Sequence, residues 1–337
     1  MVADGQHILL DQRLVAVVAT FNRSAALQKT IARLLDEPCE AIVVVDNGST
    51  DGTREWLHDQ TDARIYPVFP KDNLGGAGGF ELGMHVAMEQ FDPDWVVVMD
   101  DDARPDPGAF IRFVDAAHHG WDVLAAAVYY PDGSICEMNR PSRNPFWHAR
   151  EALGTIWGTL RGQGRQGFHI PDTAYTGADV LPVDAASFVG MFVSRAVIQK
   201  IGLPDGKMFI YGDDVGYSLR ARQANFKIGF APDLRFEHEC STFIEKKVYR
   251  PYWKIYYNYR NGLINYRAAA GIYFWFVAPV FIAKWFRNAK HYGEDKHIFL
   301  NLLRRAIKDG FANRREVSHT EVLALVEALK TKDRPAP

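Results

Sequence analysis

Three uninterrupted apolar runs limit what this chain can fold into. Leu14–Ala19, Ala41–Val45 and Trp95–Met99 are rich in β-branched residues, span five or six positions each, and stop at polar residues. Runs that short, without apolar–polar alternation, predict strands buried on both faces. Helical spacing separates them. Ser24 opens a pattern with Leu27, Ile31, Leu34 and Leu35 on one face, Thr53–His58 begins a short helix, and another runs through Met84 and Ala87. Strands alternating with helices predict an α/β architecture, a mostly parallel sheet flanked by helices. Further along, Val123–Tyr129 and Ala186–Val193 read as strands, Gly212–Ala224 as a helix, and Ile228–Pro232 as a short strand followed by Phe236–Cys240. Pro141–Phe168, rich in Arg, Gly and aromatics, reads as a mobile loop.

Charge divides the chain in two. From Ser241 onward there are 18 Lys and Arg against 8 Asp and Glu, a net +10, which leaves −12 before it. From Lys246 the pattern is helical, aromatic and basic. The boundary is therefore set near Ser241: residues 1–240 form the catalytic α/β unit, and 241–337 a helical, basic, aromatic segment. Cys39, Cys136 and Cys240 are odd in number and widely spaced, which fits a reducing compartment better than a disulfide framework. Met1–Gln12 lacks an apolar core behind a basic start, so no signal peptide is expected. The longest uncharged apolar stretch, Ala268–Ala283, would span about 24 Å as a helix, short of the roughly 30 Å hydrocarbon layer. Pro279 also interrupts it.

Five constellations carry candidate chemistry. Asp100, Asp101 and Asp102 close an apolar strand. Adjacent carboxylates repel, and a divalent cation relieves that repulsion. Alternate side chains of an extended backbone point the same way, so Asp100 and Asp102 can share one Mg²⁺ or Mn²⁺, with a substrate diphosphate completing the shell. A solvated acidic turn would look the same in isolation. Asp46, also at a strand end, is placed to accept from a base or ribose; an Asn-Gly turn capped at Ser49 or Thr50 is the plainer reading. Asn73-Leu-Gly-Gly-Ala-Gly-Gly79 reads as a glycine-rich loop whose backbone N–H groups could meet phosphate, or as a flexible surface loop. Asp213 and Asp214 open a helix, either as favourable charge at its N-terminus or as a general base that takes a proton from an attacking hydroxyl. His238 is either structural or the nitrogen ligand of a mixed O/N shell.

In that order the motifs resemble family 2 glycosyltransferases of the GT-A (Rossmann-like) fold, over roughly residues 13–240. Val17-Val-Ala-Thr-Phe-Asn-Arg23 resembles the family's opening strand and nucleotide-binding loop, and Val45–Asp51 its uracil-contacting segment. Asp100–Asp102 resembles the metal motif and Gly212–Arg220 the catalytic-base motif. Lys71–Phe80, the triple Asp and Tyr256-Tyr-Asn-Tyr-Arg-Asn261 are most similar to galactofuranosyltransferases, which also have a histidine metal ligand where His238 sits. The resemblance implies donor contacts from Thr20, Phe21, Asn22, Arg23, Asn73, Gly75, Gly76 and Gly78, uracil on Asp46 and ribose near Asp101. It implies a metal on Asp100, Asp102 and His238, with Asp214 as base and Asp213 steering the acceptor. Where those enzymes tend to carry paired tryptophans before the base motif, this chain has Asp184-Ala-Ala-Ser-Phe-Val-Gly190.

The expected activity is inverting, metal-dependent transfer of galactofuranose from UDP-galactofuranose to a hydroxyl of a growing cell-surface glycan or lipid-linked acceptor. Rhamnosyltransferases using dTDP-rhamnose have related motifs and are the alternative. From other classes come a metal-dependent phosphatase, which would need Asp100 as nucleophile after the first strand, and a non-catalytic sugar-binding module. Tyr273, Phe274, Trp275, Phe276, Phe281, Trp285 and Phe286 crowd around Lys and Arg, as in a membrane-interface segment or an aromatic core. The expected location is the cytoplasm, at the cytoplasmic face of the membrane. No nucleic-acid partner is expected; a homo-oligomer is compatible with the sequence.

Overall fold

The computed structural model describes residues 12–115, 120–161, 167–240 and 248–331. Most of the segment Met1–Gln12, the boundary at Ser241 and Lys246 lie outside the described residues. The first half alternates as expected: β1 (Leu14–Thr20), α1 (Ser24–Leu35), β2 (Ala41–Asp46), α2 (Thr53–His58), β3 (Ile65–Val68), α3 (Gly75–Phe91) and β4 (Trp95–Asp100). Then follow β5 (Ala103–Pro105), α4 (Ala109–Asp115), β6 (Val123–Tyr129), α5 (Ala149–Leu160), β7 (Leu181–Val183), β8 (Met191–Ser194), α6 (Arg195–Ile201), α7 (Asp213–Gln223) and β9 (Ile228–His238). The C-terminal part is helical: α8 (Trp253–Ala270), α9 (Phe274–Arg287), α10 (Lys296–Phe311) and α11 (His319–Thr331).

One sheet runs β3-β2-β1-β4-β8-β6-β9-β5, with β7 beside β9. The β3-β2-β1-β4 half is parallel. Beyond it the sheet is mixed: β8 is antiparallel to β4 and β6, β6 and β9 are parallel, and β5 and β7 run against β9. These later strands are as short as three residues, too few to carry a periodic signal. β9 joins the two pieces read separately from the sequence. Its register against β6 shifts between Ala231 and Arg235, next to Pro232, which has no N–H to give the ladder.

Alternate strand residues feed two cores. Val15, Val17, Val43, Val45, Val96 and Val98 face Phe80, Met84 and Ala87 of α3. Leu14, Ala16, Val18, Ile42, Val44, Val97 and Met99 face the α1 residues Leu27, Ile31 and Leu34 and the α4 residues Phe110 and Phe113. Two sequence readings change here. The glycine run is not a loop but the first turn of α3, and Pro141–Phe168 contains helix α5. The glycines are there for packing. A Cβ on Gly79 would lie 3.0 Å from Ala19, and one on Gly83 2.4 Å from Val17 Cγ1, so the bare backbone lets α3 press onto β1.

Helix α8 packs on α10 and α11 through Tyr256, Tyr257, Tyr259, Phe299, Leu302 and Val326. The seven aromatics near α9 divide between the two readings. Phe274 is buried, Phe281 stacks on Tyr266 and Trp285 packs against Tyr259, whereas Tyr273, Trp275 and Phe276 are 54%, 61% and 79% exposed.

Candidate active site

Register aligns the carboxyl ends of the parallel strands. Thr20 pairs with Asp46, and Ala19 with Asp100, so β1, β2 and β4 deliver their polar termini to one edge, where ligands of α/β sheets gather. After Asp100 the chain turns through Asp101 and Asp102 into β5. Because β5 pairs with β9, with Ala103 opposite His238, a residue 136 positions away comes alongside. His238 Nε2 lies 3.1 Å from Asp102 Oδ1. Ligand atoms of Asp100, Asp102 and His238 all fall within 4.8 Å of one another. Two carboxylate oxygens and an imidazole nitrogen suit a Mn²⁺- or Mg²⁺-like cation.

The electrostatics fit a site for positive charge. Burial pushes Asp100 up to about 6, against the pull of His238. Burial likewise pushes Asp101 up to about 7, although Thr20 Oγ1 donates to it at 2.7 Å. Asp102 is held below the usual carboxylate range: burial opposes this, but the His238 hydrogen bond and charge prevail. Burial disfavours the charged form of His238, yet the Asp102 hydrogen bond, Cys136 and Asp100 raise it to about 10. Arg23 forms an ion pair with Asp102, and its Nη1 lies 3.6 Å from Asp101.

Around this cluster the expected donor loops are knitted together. Asn22, at φ 55°, takes the Thr50 N–H on its Oδ1 at 2.7 Å, and its own N–H donates to Ser49 Oγ. Phe21 is 44% exposed. Asp46 is fully buried; its Oδ1 accepts from Ser49 N–H at 2.9 Å across the Asn47-Gly48 turn, but the cap expected at Ser49 or Thr50 is not formed, because α2 is entered at Gly52. Its Oδ2 has no hydrogen-bond partner, and neither does Arg54 Nε, 3.8 Å away. Asn73 Oδ1 accepts from Gly75 N–H at 2.8 Å, and Asn47 bonds the carbonyl of Gly75. Gly75 and Gly78 abut Phe209 and Leu74, while a Cβ on Gly76 would meet only open space.

Asp213 and Asp214 begin α7 after Gly212, at φ 79°. Burial raises Asp214 to about 6, opposed by backbone N–H groups of Val215 and Phe188. Burial, then Asp214, drive Asp213 well above the ordinary range. Asp214 raises Asp100, and Asp100 raises Asp213, so the two acidic clusters lie near enough for their charges to act on one another. A set of polar residues from α8 holds the chain that leads to the pair. Asn261 Nδ2 donates to the carbonyls of Met208, Ile210 and Tyr211 at 2.8–2.9 Å. Arg260 donates to those of Lys207 and Met208, and Asn265 to that of Gly212 at 2.7 Å. Sequence reasoning noted Tyr256–Asn261 only as a resemblance and gave these residues no task. It missed Asn139 altogether.

The glycosyl transferase family 2 profile matches residues 15–178. Over 230 residues the chain is 29% identical to galactofuranosyltransferase GlfT1 of Mycolicibacterium smegmatis, covering 67% of this chain and 71% of that one. It is 25% identical over 245 residues to the N-acetylglucosaminyl-diphospho-decaprenol L-rhamnosyltransferase of Mycobacterium tuberculosis, covering 67% and 75%. The crystal structure of GalNAc-T7 with UDP, GalNAc and Mn²⁺ superimposes with a TM-score of 0.56 at 12% identity, covering 97% of this chain and just over half, 58%, of that one. That likeness concerns the fold. The profile, the related sequences and the mixed sheet flanked by helices agree: residues 15–178 match glycosyl transferase family 2, and the chain is a glycosyltransferase of the GT-A fold.

Proposed function

We propose that the enzyme transfers galactofuranose from UDP-galactofuranose, with inversion, to a hydroxyl of a glycan or lipid-linked saccharide. The observation that carries this reading is the meeting of Asp100, Asp102 and His238 beside the Asp213–Asp214 pair. Asp100, Asp102 and His238 would hold Mn²⁺ or Mg²⁺, which when bound neutralises charge growing on the diphosphate leaving group. Asp46 offers a uracil N–H a buried oxygen that accepts no hydrogen bond and has only Arg54 3.8 Å away, and an unmet acceptor of that kind is costly without a ligand. Asp101, tethered by Thr20, lies near the ribose, and Phe21, Asn22, Arg23, Asn73 and Gly76 line the nucleotide and diphosphate path. Gly75 and Gly78 serve that path by shaping the α3 terminus. Asp214 takes the proton of the acceptor hydroxyl as it attacks; a pKa near 6 leaves it ionised at neutral pH and still basic. Asp213 orients the acceptor.

The named galactofuranosyltransferase relative favours the furanose donor, and the rhamnosyltransferase supports dTDP-rhamnose as the second reading. In this reading the acceptor lies at the cytoplasmic face of the membrane, and the exposed face of α9 supports contact with a bilayer. Its solvent side presents Trp275, Phe276, Pro279 and Val280, then Lys284 and Arg287. The helical stretch Trp253–His291 is long and apolar enough to cross a bilayer by composition. However, Gly271, at φ 54°, separates α8 from α9, and α9 alone spans about 21 Å, which suits lying in the interface.

A donor screen tests the proposal: UDP-galactofuranose, UDP-galactopyranose and dTDP-rhamnose, each with Mn²⁺ or Mg²⁺ and then with chelator. Transfer from UDP-galactofuranose that stops on chelation is the expected result. Turnover of dTDP-rhamnose alone would move the assignment to the second sugar, and activity indifferent to chelation would overturn the metal reading.

A further inference from the structure

The ring of His238 stands between two sets of ligand atoms. On its Nε2 side are Asp100 and Asp102. Cys136 and Cys240 form the other set with the same ring; Cys136 Sγ lies 4.0 Å from Nδ1, and the ligand atoms of this trio are also within 4.8 Å of one another. The two cysteines are 104 positions apart in sequence, and neither is in a disulfide. A neutral imidazole has one N–H and one lone pair. It can therefore serve only one set at a time. The first set is oxygen-rich and suits a hard cation; the second is sulfur-rich and suits a soft one such as Zn²⁺ or Cd²⁺.

Asn139, only 7% exposed, sits at the switch between them. Its Oδ1 lies 2.8 Å from His238 Nδ1 and accepts from the Cys136 thiol at 3.0 Å. Its Nδ2 donates to Ser187 Oγ at 3.0 Å. An amide oxygen only accepts, so it holds a proton on Nδ1; when a cation replaces the proton that Nε2 shares with Asp102, the lone pair that is freed faces the carboxylates. The same oxygen also accepts from the Cys136 thiol.

We propose that Asn139 is a positioning residue that selects the Asp100–Asp102–His238 set over a latent thiolate site formed by Cys136, Cys240 and His238 Nδ1. The inference rests on the metal reading above. It explains how a cation site can sit beside two thiols without being captured by soft metals: the acceptor on Nδ1 withholds from the sulfur set the third ligand it needs.

The test uses the full-length protein and Asn139→Leu, which keeps the volume and removes the acceptor. Mn²⁺ affinity is read by electron paramagnetic resonance of free ion, and Co²⁺ by its optical spectrum, in which sulfur ligation gives an intense near-ultraviolet charge-transfer band. The unaltered protein is expected to bind Mn²⁺ and to show no sulfur band. Asn139→Leu is expected to bind Mn²⁺ about 10–100-fold more weakly and to gain the band, which Asn139→Leu with Cys136→Ser abolishes. Unchanged Mn²⁺ affinity, weakened affinity without the band, or a band already present in the unaltered protein would each overturn the proposal. Should Asn139→Leu fail to fold, nitrogen NMR of the unaltered protein loaded with Mg²⁺ decides: a proton on His238 Nδ1 supports it and a proton on Nε2 refutes it. Absence of any Mn²⁺ binding to the unaltered protein would instead sink the metal reading beneath it.

Discussion

Asn261→Ala isolates the contribution of α8 to catalysis. Asn261 is buried and its amide nitrogen meets three carbonyls, those of Met208, Ile210 and Tyr211, with two hydrogens to share among them. Met208 keeps a second donor in Arg260, so the substitution strands two carbonyls, Ile210 and Tyr211, and removes the acceptor of Arg260 Nε. A stranded buried polar group costs about 1–3 kcal/mol. Ile210 and Tyr211 are only half-buried, so water offsets part of that, and a total of about 2–3 kcal/mol is expected. Tyr211 and Gly212 carry positive φ, and Tyr211 resists that conformation unless held there. The loss should therefore appear as displacement of Asp214 rather than as general unfolding. At about 1.4 kcal/mol per tenfold, kcat should fall roughly 30–100-fold, with donor KM changed less than threefold. Steady-state kinetics with varied donor, beside urea unfolding, measure both. A kcat within twofold of the unaltered enzyme in a folded variant would refute the reasoning that α8 sets the base.

Other expectations follow from single features. Asp214→Asn should abolish transfer while donor affinity by calorimetry stays within threefold; a fully active variant removes Asp214 as base. The Asp214 carboxyl is raised to about 6 by burial and must be ionised to accept a proton, so kcat should hold above that pH and fall tenfold per unit below it; a flat profile down to pH 5 contradicts this. Gly83→Ala places a methyl 2.4 Å from Val17 Cγ1 and 3.1 Å from Val45, and should lower stability by about 1–3 kcal/mol in urea titration; neutrality would mean that α3 can lift from the sheet freely. Trp275→Ser with Phe276→Ser removes the two large exposed aromatics of α9 and should abolish flotation with anionic liposomes without altering transfer to a water-soluble acceptor. Unchanged flotation argues against α9 as the membrane contact.

Much of the parallel half was legible because its strands announce themselves. Val43-Val-Val45 and Val96-Val-Val98 are buried on both faces, so they appear as unbroken apolar runs, and each strand ends in an aspartate of the proposed site. The glycine run deceived for a physical reason. Four glycines in five residues are poor helix formers, but contact of α3 with Ala19 and Asn47 demands the missing side chains, and packing overrides propensity. β5, β7 and β8 have three or four residues each, leaving nothing periodic to read. Asn139, Arg260, Asn261 and Asn265 were invisible because a lone polar residue declares no partner. The partners that give them their place, His238 for Asn139 and the 207–212 carbonyls for the others, lie 50 or more positions away and are fixed only when helix and sheet dock.

The pairing of β5 with β9 has a consequence for the newborn chain. Asp100 and Asp102 emerge from the ribosome more than a hundred residues before His238, and the pairing of β5 with β9 brings them alongside it. Until the last strand docks, the chain offers a cation two carboxylates and no imidazole. On the proposed metal reading, uptake of the ion would report that the sheet is complete, and a half-made enzyme would have little means of trapping metal or squandering activated sugar.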